Sequence, residues 1–144
     1  MTIKETQDEI IEEFSLFENW TDKYEHLISL SKELPEIKEE NKKQENLIEG
    51  CQSRVWLEAE MKGGRIFFTA DSDAVITKGI IALLIKVLNK RTPKEIIDAD
   101  LYFIDEIGLQ EHLSPTRSNG LLAMLKQIKM YALAYQHKLD QEEQ

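Results

Sequence analysis

The chain has 144 residues, of which 42% are hydrophobic and 31% are charged, and its formal net charge is −9. This length and balance are typical of one soluble globular domain with one hydrophobic core. Proteins that bind nucleic acids or anionic membranes usually present a basic face, so the acidic excess argues against both kinds of partner.

Three features of the sequence lead us to expect a cytoplasmic protein. The N-terminal stretch is acidic and amphipathic, without the basic and apolar regions of a signal peptide. The longest apolar block, residues 79–88, is too short to span a bilayer and contains Lys86. The single cysteine, Cys51, cannot form an internal disulfide, which fits a reducing compartment.

Two helices are predicted in the N-terminal third of the chain. Thr6 followed by Glu9 fits a capping box, and apolar side chains then recur at helical spacing. Asn19 is suited to cap a second helix, which Pro35 would end. The polar stretch after Pro35 is expected to be a solvated connection.

Strands are predicted in the middle of the chain. Residues 54–61 and 65–70 alternate apolar and polar side chains, as half-buried strands do. Gly63-Gly64 between them is typical of a two-residue hairpin turn, whose central residues need positive φ. Residues 45–50 are a plausible preceding strand, so we expect a small three-stranded antiparallel sheet.

The rest of the chain returns to helix. Asp71, Ser72 or Asp73 can cap a strongly apolar helix, which we expect to be the central element of the core. Thr92-Pro93 and Ser114-Pro115 each mark a further helix start, because proline is favoured at the first helical position. The buried side of the last helix is predicted to comprise Leu121, Leu122, Leu125, Ile128, Ala132 and Tyr135.

These elements predict the α+β class, with one domain over residues 1–144 and helices covering the small sheet. The core is expected to span residues 6–137, followed by a disordered tail at 138–144. Gly79 and Gly120 are poor residues for the helices that contain them. Close packing can explain both, and for Gly120 the expected neighbour is the loop that carries Cys51.

Most familiar chemistries have no motif in this chain. Phosphate-binding loops, dinucleotide fingerprints, the HExxH metal motif and the serine nucleophile elbow are all missing from the sequence. One cysteine and scattered histidines do not supply a structural zinc site. We therefore expect no bound metal or cofactor.

Cys51 is the remaining candidate for chemistry, and the residues alone leave its role open. A lone cysteine is often a small buried hydrophobic residue. Cys51 instead follows Gly50 and precedes polar residues, on the bend at 50–53 that would open the sheet. A cysteine peptidase would need a base, for which His112 is a candidate, whereas sulfur exchange needs only a reachable thiol.

Three blocks of the sequence together resemble the SufE family of cysteine desulfuration proteins. They are "IEGCQSRVWL" at 48–57, "DSDAVITKGIIALL" at 71–84 and "HLSPTRSNGL" at 112–121. "NWTDKYEHLISLSKELPEI" at 19–37 and "TPKEII" at 92–97 also fit. The resemblance covers roughly residues 6–136.

The resemblance implies a function in sulfur transfer. SufE-like proteins accept persulfide sulfur from a cysteine desulfurase of the SufS type, stimulate that enzyme, and pass the sulfur to a SufBCD-type scaffold for iron–sulfur cluster assembly. The acceptor of the family corresponds to Cys51. The implied fold is similar to IscU-type scaffolds, and pyridoxal phosphate belongs to the desulfurase, so this chain is not expected to be a stand-alone enzyme.

The same blocks imply supporting residues. Gln52 and Ser53 follow the acceptor directly, and Asp73, His112 and Arg117 lie in or beside the other blocks. We expect Arg117 to hold the cysteine loop or the thiolate charge, and Asp73 to position the loop. The simpler alternatives are a helix cap for Asp73, a surface charge for Arg117 and a structural hydrogen bond for His112.

Three alternatives stay open at this point. The chain could be a non-catalytic adaptor that binds a desulfurase with Cys51 incidental, or it could build a cluster on a dimer. It could also serve the related desulfurase CsdA, as a close relative of the family does. The sequence indicates neither the oligomeric state nor the resting position of the Cys51 loop.

Overall fold

The computed structural model describes residues 1–143 as a two-stranded antiparallel sheet packed among helices. The mixed helix-and-sheet class is as predicted. Among these residues no helix is long and apolar enough to cross a membrane. The elements are α1 (Ile3–Ser15), α2 (Trp20–Leu30), β1 (Val55–Lys62), β2 (Arg65–Ser72), α3 (Val75–Leu88), α4 (Pro93–Asp98), α5 (Phe103–Glu106), α6 (Leu109–His112) and α7 (Pro115–Glu142), with 3₁₀ turns at Ser31–Glu33, Glu39–Asn41 and Gln44–Asn46.

Helix α1 begins one turn earlier than predicted. The Glu5 N–H donates to Thr2 Oγ1 at 3.0 Å, and the Thr2 N–H donates to Glu5 Oε1 at 3.1 Å, which completes a capping box. Thr6, the expected cap, lies inside the first turn, where its hydroxyl donates to the Thr2 carbonyl and accepts from the Arg91 guanidinium. The caps predicted at Asn19, Thr92 and Ser114 are confirmed.

The hairpin forms as the sequence predicts. β1 and β2 pair from Val55 opposite Ser72 to Lys62 opposite Arg65. Gly63 and Gly64 have φ of 59° and 79°, the left-handed values that a two-residue turn between twisted strands requires. The register places the open end of the hairpin beside the Cys51 loop.

The predicted third strand at 45–50 is absent. Residues 44–46 form a 3₁₀ turn instead, and only the bridge from Leu47 to Trp56 pairs this segment with β1. Farther along the same edge, the Tyr131 and Tyr135 hydroxyls of α7 donate to the β1 carbonyls of Leu57 and Ala59. These two hydroxyls take up β1 carbonyls that a third strand would otherwise pair with.

The outer edge of β2 is satisfied by loops and one side chain. The Ile66 N–H donates to the Arg91 carbonyl, and the Phe68 N–H donates to Asn89 Oδ1 at 2.7 Å. The Ala70 N–H donates to the Pro35 carbonyl at 3.0 Å. These contacts satisfy backbone donors that an uncovered edge strand would leave unpaired.

Helix α3 is the centre of the core, as predicted. Most of its side chains are buried, including Ile80, Ile81, Leu83 and Leu84. α2 crosses it at Gly79, where an added Cβ would lie only 2.5 Å from the Leu27 carbonyl oxygen. The predicted close packing at this glycine is therefore confirmed.

Helix α7 differs from the prediction in two respects. Leu122 is 49% exposed although it was expected inside, and Met124 takes its place on the buried side. The helix also continues to Glu142, so residues 138–142 are helical where a disordered tail was predicted. Gln144, which belonged to that predicted tail, lies outside the described residues.

Candidate functional site

The loop that carries Cys51 is bent by a glycine and rests on α7. Gly50 has φ of 94°, in the region that residues with a Cβ rarely adopt. A Cβ at Gly50 would lie 3.3 Å from the Ala123 Cβ, so the loop backbone approaches the helix closely. The bend predicted at residues 50–53 is present, and it sets the thiol against the start of α7.

The Cys51 thiol is half-buried and points to Gly120. Its Sγ lies 3.7 Å from the Gly120 carbonyl oxygen, within reach of a weak S–H donor. The predicted packing of Gly120 against the cysteine loop is confirmed, although a Cβ there would make only an ordinary contact with Sγ at 3.7 Å.

Burial raises the pKa of the Cys51 thiol above its ordinary value. The charged thiolate loses hydration in this position, which favours the protonated form. The resting thiol is therefore largely protonated at neutral pH. A thiolate is the nucleophilic form of cysteine, so the thiol needs a change of surroundings before it can react quickly.

A cavity of about 350 Å³ adjoins the thiol, between the Cys51 loop, α3 and the first turns of α7. It brings together four of the predicted site residues, Cys51, Gln52, Ser53 and Arg117. The remaining lining residues are Thr77, Ser114, Thr116, Gly120 and Met124.

Asp73 does not line this cavity, but it holds the end of the cysteine loop. Its Oδ1 accepts the Arg54 N–H at 3.0 Å, and its own N–H donates to the Arg54 carbonyl at 3.2 Å. The expectation that Asp71, Ser72 or Asp73 caps α3 is wrong. The N-cap is Ala74, without a side-chain hydrogen bond, because the Asp73 carboxylate is bonded to the loop instead.

Arg117 lies in the first turn of α7 at the cavity. Its N–H donates to the Ser114 hydroxyl, the cap of the helix, at 3.3 Å. Its side chain is exposed, and no acidic group among residues 1–143 lies within 4 Å of the guanidinium to form an ion pair. The charge is thus available to an anionic group in or near the cavity.

The structure does not bring His112 to the cavity. Its ring stacks on Trp20 with centroids 4.1 Å apart and an interplanar angle of 14°, and its Nδ1 lies 2.9 Å from the Gly108 carbonyl oxygen. The His112 carbonyl accepts a hydrogen bond from the Tyr24 hydroxyl. These contacts join α2 to the segment that leads into α7, which is what a structural role for His112 requires.

Sequence reasoning missed three residues of the cavity, Thr77, Thr116 and Met124. Thr77 lies in the apolar run of α3, and nothing local in the sequence connects it to Cys51. Met124 follows Gly120 by one turn of α7, which is a weak signal. Within the described part of the chain, no group of three or more His, Cys, Asp or Glu side chains is placed to hold a metal ion.

The fold and this cavity define a class: a small α+β protein whose single thiol lies in a glycine-bent loop beside a polar cavity. A family model described as the SufE, Fe-S metabolism associated domain matches residues 8–132. The chain belongs to this family, and it is thereby associated with iron–sulfur metabolism. The matched span contains Cys51 and every other cavity residue.

A solved structure supports the fold independently. The chain is similar to the solution structure of a hypothetical protein from Thermus thermophilus, with a TM-score of 0.74 and 19% sequence identity. The similarity covers 90% of this chain and 94% of that one. At this identity the likeness bears on the fold alone.

Proposed function

We propose that this protein accepts sulfur from a cysteine desulfurase as a persulfide on Cys51, stimulates that enzyme, and delivers the sulfur for iron–sulfur cluster assembly. The observation that carries the proposal is the position of Cys51, the only cysteine, beside a cavity of about 350 Å³ in a chain of the SufE family. The protein is then an accessory of the desulfurase and works in the cytoplasm.

The transfer is a thiol–persulfide exchange. The Cys51 thiolate attacks the outer sulfur of the persulfide on the desulfurase, a new S–S bond forms at Cys51, and the thiolate of the desulfurase leaves. The product is Cys51–S–SH, and no external oxidant or reductant is needed. No second cysteine in the chain can attack this product and release its sulfur as sulfide.

The resting position of the thiol suits storage more than attack. Cys51 is half-buried with a raised pKa, so the desulfurase must draw the loop outward or supply positive charge before transfer. The loop is anchored at Arg54 by Asp73, whereas Gly50 gives its other end conformational freedom. Movement about Gly50 would expose the sulfur to the desulfurase and then to a SufBCD-type scaffold.

The test combines a SufS-like desulfurase, free cysteine and this protein, followed by mass spectrometry of the intact chain. We expect the wild type to gain the mass of one sulfur, which a reducing agent removes. Cys51→Ser is the variant and the wild type without free cysteine is the control. Equal sulfur uptake by Cys51→Ser would refute the proposal.

A second candidate is an adaptor that activates a desulfurase without carrying sulfur. The protonated, half-buried state of the Cys51 thiol favours this candidate. The same reaction separates the two, because an adaptor stimulates cysteine turnover equally well as Cys51→Ser. A carrier loses most of its stimulation with that substitution, since the persulfide of the desulfurase is no longer unloaded.

A further inference from the structure

The cavity beside Cys51 has a hydroxyl group on its α3 side. Four lining residues carry hydroxyls, and Ser114 and Thr116 are exposed while Ser53 is partly buried. Thr77 differs, because it is only 8% exposed and is held in α3, the central helix of the core. Thr77 is therefore the most buried of the four residues.

The Thr77 hydroxyl makes no hydrogen bond to any residue in the range 1–143. A buried hydroxyl without a partner normally destabilises a fold, and valine would fill the same volume without that cost. Among residues 1–143, His26 Nε2 is the side-chain polar atom that has neither solvent access nor a hydrogen-bond partner. The Thr77 hydroxyl is not in that condition, so it is not completely shut off from solvent. It therefore retains access to open space, which the cavity that Thr77 lines provides.

A persulfide places a second sulfur in this space. The outer sulfur lies about 2 Å beyond Sγ, one S–S bond length away. Cys51 Sγ already lies over Gly120 on the α7 side, and Thr77 lines the α3 side of the same cavity. The protonated thiol can donate a weak hydrogen bond to the Gly120 carbonyl, but a carbonyl oxygen has no hydrogen to donate and cannot stabilise an anion.

We propose that the Thr77 hydroxyl donates a hydrogen bond to the outer sulfur of the Cys51 persulfide and holds that sulfur in its anionic form. The inference rests on the proposed function, because only a sulfur carrier has such an anion in the cavity. A hydrogen bond to the charged form of an acid stabilises that form and lowers its pKa. Thr77 is thus a positioning residue for the stored sulfur.

The test forms the persulfide chemically, without the desulfurase. Cys51 is converted to a mixed disulfide with an aromatic thiol, and sulfide then displaces the aromatic thiolate and leaves Cys51–S–SH. The ionisation of this persulfide is followed by its ultraviolet absorbance against pH. We expect the midpoint of Thr77→Val to lie about one pKa unit above that of the wild type. Thr69→Val, outside the cavity, should titrate like the wild type.

A second pair of variants controls for changes in packing. Thr77→Ser and Thr77→Ala differ by the hydroxyl oxygen alone, and the serine variant should have the lower persulfide midpoint. The role of Thr77 would be overturned if Thr77→Val had the same midpoint as the wild type and Thr77→Ser had the same midpoint as Thr77→Ala. That result would leave the proposed function standing, because transfer from the desulfurase is measured separately by the mass gain on Cys51.

Discussion

Asp73 joins the Cys51 loop to the helical core through Arg54. Its carboxylate accepts the Arg54 N–H at 3.0 Å, and the Arg54 carbonyl accepts both the Asp73 N–H and the Ser72 hydroxyl. The loop thus has one end fixed in three hydrogen bonds and another end at the glycine bend. If the thiol is drawn out of the cavity, we expect the glycine end of the loop to move rather than the end at Arg54.

Removing the Asp73 carboxylate should loosen the loop. In Asp73→Ala the Arg54 N–H loses its acceptor, and we expect a loss of about 1 kcal/mol in the free energy of unfolding. The alkylation of native Cys51 by iodoacetamide should become faster, because the thiol spends more time outside the cavity. Asp73→Asn keeps an acceptor oxygen and should react more like the wild type, as should Asp105→Asn, which is exposed on α5. An unchanged rate in Asp73→Ala would show that this bond does not restrain the loop.

The hairpin could be predicted from sequence because its determinants are local. Gly63-Gly64 permits the turn, and the alternation on either side specifies the strands. The third strand failed because the edge of β1 is taken by Tyr131 and Tyr135, which are more than 70 residues away along the chain. Thr6 and Glu9 have the same spacing as Thr2 and Glu5, which form the capping box. The Thr6 hydroxyl instead accepts a hydrogen bond from the distant Arg91, which the local sequence does not indicate.

The site shows the same division between local and distant information. Cys51 could be singled out as a candidate from its neighbours, and its role as the sulfur acceptor is what the family resemblance implies. The Thr77 side chain could not, since its relation to the thiol exists only once α3 and α7 flank the same cavity. The stacking of His112 on Trp20 is likewise a contact between distant segments, and it separates His112 from the cavity.

Gly79→Ala should destabilise the fold although alanine favours helix. The new Cβ would lie 2.5 Å from the Leu27 carbonyl oxygen and 3.0 Å from its Cγ, so α2 must move away from α3. We expect a net loss of about 2 kcal/mol in urea unfolding, the usual cost of overpacking a core. Gly120→Ala is the matched variant, because its Cβ would have an ordinary contact and should leave stability unchanged or higher. Equal stability of the two variants would contradict this account.

Asp71 should make stability depend on acid pH. Burial alone would raise the pKa of its carboxyl, but hydrogen bonds from Lys42, Ser72 and Lys78 outweigh that effect and lower it. The two ammonium groups lie 2.6 and 3.2 Å from its oxygens. A lowered pKa stabilises the fold at every pH above the ordinary value, and this contribution is lost as the pH falls through the native pKa.

The variant Asp71→Asn tests this assignment. We expect it to lose about 2 kcal/mol at neutral pH, since the Lys42 and Lys78 ammonium groups lose the charged carboxylate that they pair with. The difference from the wild type should shrink as the pH falls below the ordinary carboxyl pKa, about 3.9, because the wild-type carboxyl then becomes protonated too. Asp8→Asn removes an exposed pair with Lys4 and should change little. A difference that stays constant with pH would contradict the assigned cause.

Two substitutions at His112 distinguish the contribution of its stacking on Trp20 from that of its ring nitrogens, and we expect the role of the residue to be structural. His112→Ala loses the contact with Trp20 and should destabilise the fold by about 1 kcal/mol. His112→Phe keeps an aromatic ring on Trp20 and should retain most of that stability. If the proposed transfer occurs, both variants should take up as much sulfur from a desulfurase as the wild type. A loss of transfer in both, with the fold intact, would instead indicate a base.

The raised pKa of Cys51 predicts how its reactivity and the stability of the fold change with pH. Below the ordinary thiol pKa, about 8.5, the native thiol should react with iodoacetamide more slowly than the same thiol in urea. In the native protein the rate should reach half of its maximum at a higher pH. A faster native reaction at neutral pH would mean that a nearby cation overrides burial.

The same shift should appear in the free energy of unfolding. Because the native pKa is raised, the stabilisation by the protonated thiol is complete below the unfolded pKa and is lost as the pH rises through the native pKa. Burial also raises the pKa values of Tyr131 and Tyr135, so these residues too lower the free energy of unfolding as the pH rises into the alkaline range. Comparing the wild type with Cys51→Ala at each pH cancels the tyrosine contribution. We expect the wild type to lose relative stability from about pH 8.5 upward, where the thiol of the unfolded chain ionises first.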